Sequence, residues 1–318
     1  MSGNSPTLLK SPAFSIYLLG SAPDRGERMD DLDVRLLVDL LRDRISPDRS
    51  LGQHFLLDEA VIARAVHIAS AAVPIGPECH VLEIGPGPGS LTLDLLKTGA
   101  QVTALEVDSE SVAHLGRVFG DADGRLNIVE TDALEADWPD DLTHIVANLP
   151  YQISSPVLER IQKHHAQHNL NGIALLVQEE FAERMAMSAG HASRGPLGHS
   201  LWLDFEVELD QRVPSHSFSP APRVHSRLTN LIPTQRESAE AFDRRLFRMV
   251  IAECFANRRR KLRTLLKRPP KRLNRIPGWH RARWEGAIDA LPTETLDLRP
   301  ENLSSNDWAV LIAEISAE

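Results

Sequence analysis

A chain of 318 residues, 42% hydrophobic and 25% charged, is long enough for one large α/β domain plus a smaller one and is far above the size at which core burial becomes marginal. Its only cysteines, Cys79 and Cys254, form no CxxC pair, so neither a disulfide framework nor a zinc site is supported, and no metal is expected. This usage fits a reducing, cytoplasmic compartment. No apolar stretch approaches the roughly eighteen residues that span a bilayer, so no membrane partner is expected.

The net charge of −9 conceals an asymmetry. Residues 255–284 hold twelve Lys or Arg and no acid, so the remaining 23 cations face 44 acids, a net of −21. The average alone would argue against a nucleic-acid partner, but phosphate binding depends on the local patch.

Residues 1–28 lack periodicity. The apolar patch 13–20 has only Lys10 ahead of it, so residues 1–28 read as a disordered extension, or as preceding a true start at Met29, rather than as a targeting signal. Leu32, Leu36, Leu37, Leu40 and Leu41 have helical spacing, and 59–72 does again, with Asp58 as its N-cap. Strands are predicted near 79–84, 101–106, 126–130, 143–147 and 172–177. Helices alternate with them near 90–98, 109–119, 154–165 and 179–188. This alternation specifies an α/β fold, a doubly wound parallel sheet covered by helices. Extended stretches near 201–209 and 224–231, separated by the proline-rich 214–222, would close the sheet edge as a hairpin. Beyond Pro233 the texture is helical, near 239–256, 257–267, 280–290 and 304–316, broken by Pro269-Pro270 and Pro277-Gly278. The division is therefore 1–45 as extension and helix, 46–233 as the sheet domain, and 234–318 as a smaller all-helical domain.

Gly85, Gly87 and Gly89 fall where the first strand meets its helix, where absent side chains let backbone approach a ligand. Glu106 ends the next strand, the place of a carboxylate that accepts from ribose hydroxyls. Alone, these features fit NAD as well as S-adenosylmethionine. A tight turn for the glycines, a solvated strand end for Glu106 and a helix cap for Asp132 are the plainer alternatives. The segment Asn148-Leu149-Pro150-Tyr151 tilts the choice toward S-adenosylmethionine. An aromatic amine donates its lone pair into its ring, and it becomes nucleophilic when acceptors hold its N–H groups. An Asn side-chain oxygen beside a main-chain carbonyl can do this, Pro stiffens the turn, and Tyr offers a face for a displaced base.

Several ordered segments then resemble one family. They include Leu51-Gly-Gln-His-Phe-Leu56, Leu82-Glu-Ile-Gly-Pro-Gly-Pro-Gly-Ser-Leu-Thr92, Leu105-Glu-Val-Asp108, Asn148-Leu-Pro-Tyr-Gln-Ile-Ser-Ser-Pro156, Phe218-Ser-Pro-Ala-Pro-Arg-Val-His-Ser226, Arg258-Arg-Arg-Lys-Leu262 and Arg299-Pro-Glu-Asn-Leu303. The chain resembles the KsgA-like ribosomal RNA adenine dimethyltransferases, as an archaeal-like member. The resemblance implies a Rossmann-like class I methyltransferase with a seven-stranded sheet and S-adenosylmethionine as cofactor. It implies that His54 and Leu56 form part of the cofactor's covering wall. Gly85 would contact its methionine part, Glu106 its ribose and Asp132 its adenine, Gly87 would also bind the cofactor, and Asn148 would border both cofactor and target. Tyr151 and Phe218 would sandwich the target adenine. Many members have Asn where His54 stands, and an aromatic ahead of Gly195 where this chain has Arg194.

The expected reaction is direct attack of the adenine amine on the sulfonium methyl, with Asn148 Oδ1 and the Leu149 carbonyl as acceptors. The expected partners are small-subunit ribosomal RNA and the pre-small-subunit particle, met by a monomer. Arg258, Arg259, Arg260 and Lys261, placed on a predicted helix, would bind RNA phosphates, with some of them pairing with acids of the catalytic domain. The competing readings are methylation of large-subunit ribosomal RNA and an assembly factor whose methylation is incidental.

Overall fold

The computed structural model describes residues 32–44 and 53–317. The readings for residues 1–28 and for Leu51 and Gly52 lie outside the described residues. The sheet domain opens with helix α1 (Val34–Arg42), capped by Asp33, whose carboxylate accepts from the Leu36 amide at 2.7 Å. Its apolar stripe buries Val34 and Leu37 in the same core as Leu56, Val61 and Ile62, so this helix is integral to the sheet domain's packing. Helix α2 (Glu59–Ala69) follows, and Asp58 caps it by accepting from the Val61 amide.

Strands β2 (His80–Ile84), β3 (Gln101–Glu106), β4 (Leu126–Glu130), β5 (His144–Asn148) and β6 (Gly172–Gln178) run parallel. They are joined through helices α3 (Ser90–Lys97), α4 (Ser109–Phe119) and α5 (Ser154–His165). Strand β6 is buried at all but its last residue, which is why Gly172-Ile-Ala-Leu-Leu-Val177 reads as a near-continuous apolar run rather than an alternation. Gly172 begins β6 because a Cβ there would lie 2.0 Å from the Ala69 carbonyl oxygen at the end of α2.

With β7 (Phe205–Val213) and β9 (Ser226–Pro233), the sheet order is β4-β3-β2-β5-β6-β9-β7, and β9 alone runs against the rest. The chain winds outward from β2 through β3 and β4, then returns to the other side of β2 as β5. The carboxyl ends of β2 and β5 thus diverge at a topological switch point, where open α/β sheets bind ligands. That winding brings the glycine-rich turn beside Asn148.

Two short strands had no counterpart in the predicted elements. β1 (Phe55–Leu56) pairs antiparallel with β8 (Phe218–Ser219), with Leu56 opposite Phe218. This strap ties the residues before α2 to the loop between β7 and β9.

After β9 the chain is helical, with α8 (Arg244–Phe255), α9 (Leu262–Leu265), α10 (Arg281–Asp289), α11 (Thr293–Leu296) and α12 (Ser305–Ala317) around buried Phe247, Trp284 and Trp308. Polar contacts fix this layer to the sheet domain. Asp204 accepts from Arg244 and from Arg248, the latter at 3.3 Å, and Arg194 donates to the carbonyls of Glu301 and Asn302. The His199 ring is fully buried against Phe255 and Trp308, with its Nδ1 2.8 Å from Ser305 Oγ.

Two element expectations are corrected. The helix predicted over 257–267 is only Leu262–Leu265, preceded by turns. The Leu262 amide is taken by the Leu298 carbonyl rather than by a residue four back, and four consecutive cations disfavour a continuous helix. After α6 (Glu179–Ala186), the stretch near 201–209 begins as the end of helix α7 (Pro196–Trp202), and the strand starts only at Phe205. Pro at the first position starts α7, and Arg236 and Arg244 take the Trp202 and Leu203 carbonyls that its end leaves open. Among the described residues no helix is long and apolar enough to cross a membrane.

Candidate active site

A cleft of about 240 Å³ opens at the switch point. His54, Leu56, Gly85, Gly87, Glu106, Asp132, Asn148, Leu149, Pro150 and Tyr151 all line it. Phe218 does not. Its side chain is 4% exposed and packs in the core with Leu56, Val213 and Leu228. Pairing of β8 with β1 holds the Phe218 ring against this core. Burying such a ring contributes about 1.5–3 kcal/mol, which opposes its withdrawal into the cleft.

The glycine turn is built for close approach. Gly85, Gly87 and Gly89 have φ of 68°, 53° and 88°, a region that side chains avoid. A Cβ on Gly89 would also meet the Phe119 ring at 2.5 Å. Glu106 is held at the end of β3 by three backbone amides: Gly87 donates to Oε2 at 3.0 Å, and Val107 and Asp108 donate to Oε1 at 2.9 and 3.0 Å. Burial pushes its carboxyl up, and the three amides pull it part of the way back. Asp132 caps its own turn by accepting from the Leu134 amide at 2.8 Å and also borders the cleft.

Glu83, under the turn, is 2% exposed and accepts from the Thr92 hydroxyl at 2.6 Å. Burial pushes its carboxyl up to about 8, and nearby Glu106 adds to the rise, so at neutral pH it is largely protonated.

At the end of β5 the Asn148 side chain donates its NH2 to the His54 carbonyl at 3.0 Å. The amide is thereby oriented, and Oδ1 is left as an acceptor with no donor among the described residues. The neighbouring Leu149 amide bonds to the Leu176 carbonyl at 3.1 Å, and no described donor takes the Leu149 carbonyl. Tyr151 is half-buried, its hydroxyl 3.0 Å from Ser226 Oγ, and burial pushes the phenol up so that it stays neutral. Ser154 does not cap α5; its hydroxyl donates to the Pro150 carbonyl at 3.3 Å.

These features fit S-adenosylmethionine. The Ser90 hydroxyl, which lines the cleft at the start of α3, is buried without a hydrogen-bond partner and is available to a ligand. Ser90, Phe55 and Ser226 were not singled out from the sequence, although each stands inside a quoted motif. The Phe55 ring packs on the glycine turn, since a Cβ on Gly87 would lie 3.2 Å from it.

The family model described as ribosomal RNA adenine dimethylase matches residues 46–275. The chain belongs to this family. It is 40% identical over 221 residues to the ribosomal RNA small subunit methyltransferase A of Gloeobacter violaceus, covering 69% of this chain and 79% of that protein. It is 33% identical to the one from Lactobacillus delbrueckii subsp. bulgaricus, covering 85% of this chain and 90% of that one. Among solved structures, a dimethyladenosine transferase from Plasmodium falciparum superposes with a TM-score of 0.68 at 26% identity, over 80% of this chain and 95% of that chain. The 23S rRNA methyltransferase ErmE shares the fold, with a TM-score of 0.60 at 23% identity, over 83% of this chain and 99% of that one. The architecture is that of a class I methyltransferase, and its cofactor is S-adenosylmethionine.

The arginine run divides. Arg258 pairs with Glu301 at 2.8 Å and donates to the His191 and Ala192 carbonyls, while Lys261 and Arg263 pair with Asp297. Both acids belong to the helical layer, so the expected pairing with acids of the sheet domain is not what these cations do. Arg259, Arg260, Lys267, Arg268, Lys271, Arg272 and Arg275 are exposed, with no side-chain partner among the described residues.

Proposed function

We propose that this ribosomal RNA adenine dimethylase acts on adenines of small-subunit ribosomal RNA, two adjacent ones, within the pre-small-subunit particle, as a cytoplasmic monomer. The observation that carries the reading is the Asn148 amide, whose NH2 is committed to His54 so that Oδ1 faces its function as an acceptor. When bound, S-adenosylmethionine supplies an electrophilic methyl on a sulfonium. Asn148 Oδ1 and the Leu149 carbonyl accept the two amine hydrogens and draw the nitrogen lone pair out of the ring. The amine becomes acidic only as its nitrogen turns tetrahedral, so no prior general base is required, and positioning supplies much of the rate. Glu106 holds the ribose and Asp132 the cofactor adenine. The exposed cations supply affinity for phosphates without reading sequence.

Mass spectrometry of small- and large-subunit ribosomal RNA, each incubated with enzyme and isotope-labelled cofactor, tests the proposal. Two dimethylated neighbouring adenines are expected. Label confined to large-subunit ribosomal RNA overturns it.

A further inference from the structure

The cleft is lined by three acids, Glu83, Glu106 and Asp132, and by no Lys or Arg. Asp132 is exposed, whereas Glu83 and Glu106 are buried in one wall, at 2% and 6% exposure. These two are held differently. Glu106 accepts from three backbone amides, which stabilise a charge, while Glu83 on the neighbouring strand has one neutral donor, the Thr92 hydroxyl at 2.6 Å. Where two acids share a buried wall, the one with more donors takes the charge and the other keeps its proton. Burial and the nearness of Glu106 accordingly push Glu83 up. No group facing this wall supplies a cation. Helix α3 brings the Thr92 and Ser90 hydroxyls, β5 brings Asn148, and α4 brings His114, whose ring lies 3.2 Å from the Pro88 carbonyl and is kept uncharged by burial. The His54 ring is engaged with the Pro220 carbonyl. The wall therefore holds a carboxyl that is short of one positive charge.

We infer that Glu83 is a proton-linked counter-charge for the cofactor, giving its proton to solvent when the sulfonium enters the cleft and regaining one when only the neutral thioether remains. The linkage concerns the cofactor alone and holds whichever RNA accepts the methyl. S-adenosylmethionine carries one net positive charge, from sulfonium and ammonium less carboxylate, whereas S-adenosylhomocysteine carries none. On binding, the carboxyl O–H bond breaks, its proton passes to solvent and its electron pair stays on oxygen. After transfer, the carboxylate oxygen takes a proton back from solvent, and nothing is oxidised or reduced. An opposite charge nearby shifts the ionisation of a carboxyl by roughly 10- to 1,000-fold, enough to empty a site that is mostly protonated at neutral pH. The substrate form of the cofactor is thereby favoured over the product form as pH rises, by a group that never touches the target base.

Calorimetric titration at pH 7 in buffers of different ionisation enthalpy counts the protons released by each ligand, with wild type, Glu83→Gln and Thr92→Val compared. Wild type should release about 0.4 to 0.9 proton on binding S-adenosylmethionine and less than about 0.2 on binding S-adenosylhomocysteine. From pH 5.5 to pH 7 its affinity for S-adenosylmethionine should tighten roughly 2- to 20-fold. Glu83→Gln keeps the neutral shape and should lose the release. Thr92→Val removes the donor to Glu83 without touching Glu106, so the proton is harder to lose. This variant should bind S-adenosylmethionine more weakly at pH 7 and S-adenosylhomocysteine as wild type does, and it keeps the test decisive if Glu83→Gln fails to fold. The inference is overturned if wild type releases no proton, if both ligands release alike, if Glu83→Gln releases as wild type does, or if Thr92→Val weakens both ligands equally. Absence of any S-adenosylmethionine binding by wild type would instead refute the cofactor assignment itself.

Discussion

The cleft and the basic helical layer hold their polar groups in opposite ways. In the cleft, Glu106 is gripped by three backbone amides and Asn148 by a backbone carbonyl, so each presents one defined face. In the helical layer, Arg258 and Lys261 are tied to acids of their own layer, while Arg259, Arg260 and the cations of 267–275 are exposed with no ion-pair partner among the described residues. Oriented dipoles suit a reaction whose rate depends on geometry. Loose cations suit a partner recognised by charge density, for which exact geometry matters little and salt matters greatly. On the proposed function, the cleft carries the chemistry and the helical layer carries affinity.

Breaking the cleft should have the largest effect. Asn148→Ala removes one oriented acceptor and should lower the single-turnover methyl-transfer rate by about 100- to 1,000-fold, the scale found for deleting a preorganised polar group. A loss below tenfold would place the critical acceptor elsewhere.

Glu83 gives a pH test. Its unfolded value of 4.5 rises to about 8 in the folded protein. Across that window the folded chain keeps a proton that the unfolded chain has released, so this group's contribution is full below pH 4.5 and is lost as pH rises through 8. Glu83→Gln keeps the neutral shape. Its melting temperature relative to wild type should climb steadily from pH 5 to pH 8; a difference independent of pH would show that the carboxyl is ionised throughout.

The helical layer should respond to salt instead. Neutralising Arg259, Arg260, Arg268 and Arg272 together should flatten the slope of log affinity for ribosomal RNA against log salt by about 3 units, with kcat at saturating RNA little changed. An unaltered slope would move the RNA to another face. The smallest effect belongs to Arg258→Ala. Its partly exposed ion pair predicts a stability loss of at most about 1 kcal/mol by thermal unfolding and an unchanged salt slope, because this cation is already spent on Glu301.

What could be read from the sequence follows from the range of the interactions involved. Strands β3 and β4 and helix α4 fall on their predicted residues because burial on the sheet and local caps such as Asp108, which accepts from the Ser111 amide, act within a few residues. The glycine turn and the Asn148 segment were legible for the same reason. The packing of Phe218 was not legible because it depends on pairing with Leu56, more than 150 residues earlier in the chain. Arg258 has no helical neighbours to betray its role, since its partner Glu301 arrives from the last turn before α12. The stacked rings of His54 and Tyr151 likewise join two motifs that only the winding of the sheet brings together.

The central claim is that Asn148 acts on the target amine through Oδ1 and leaves the cofactor's hold intact. Calorimetric titration of S-adenosylmethionine into wild type and Asn148→Ala, on preparations also assayed for transfer, tests it most directly. The account predicts affinities within threefold of each other despite the collapse in transfer. A fall in cofactor affinity that matches the fall in transfer would contradict it.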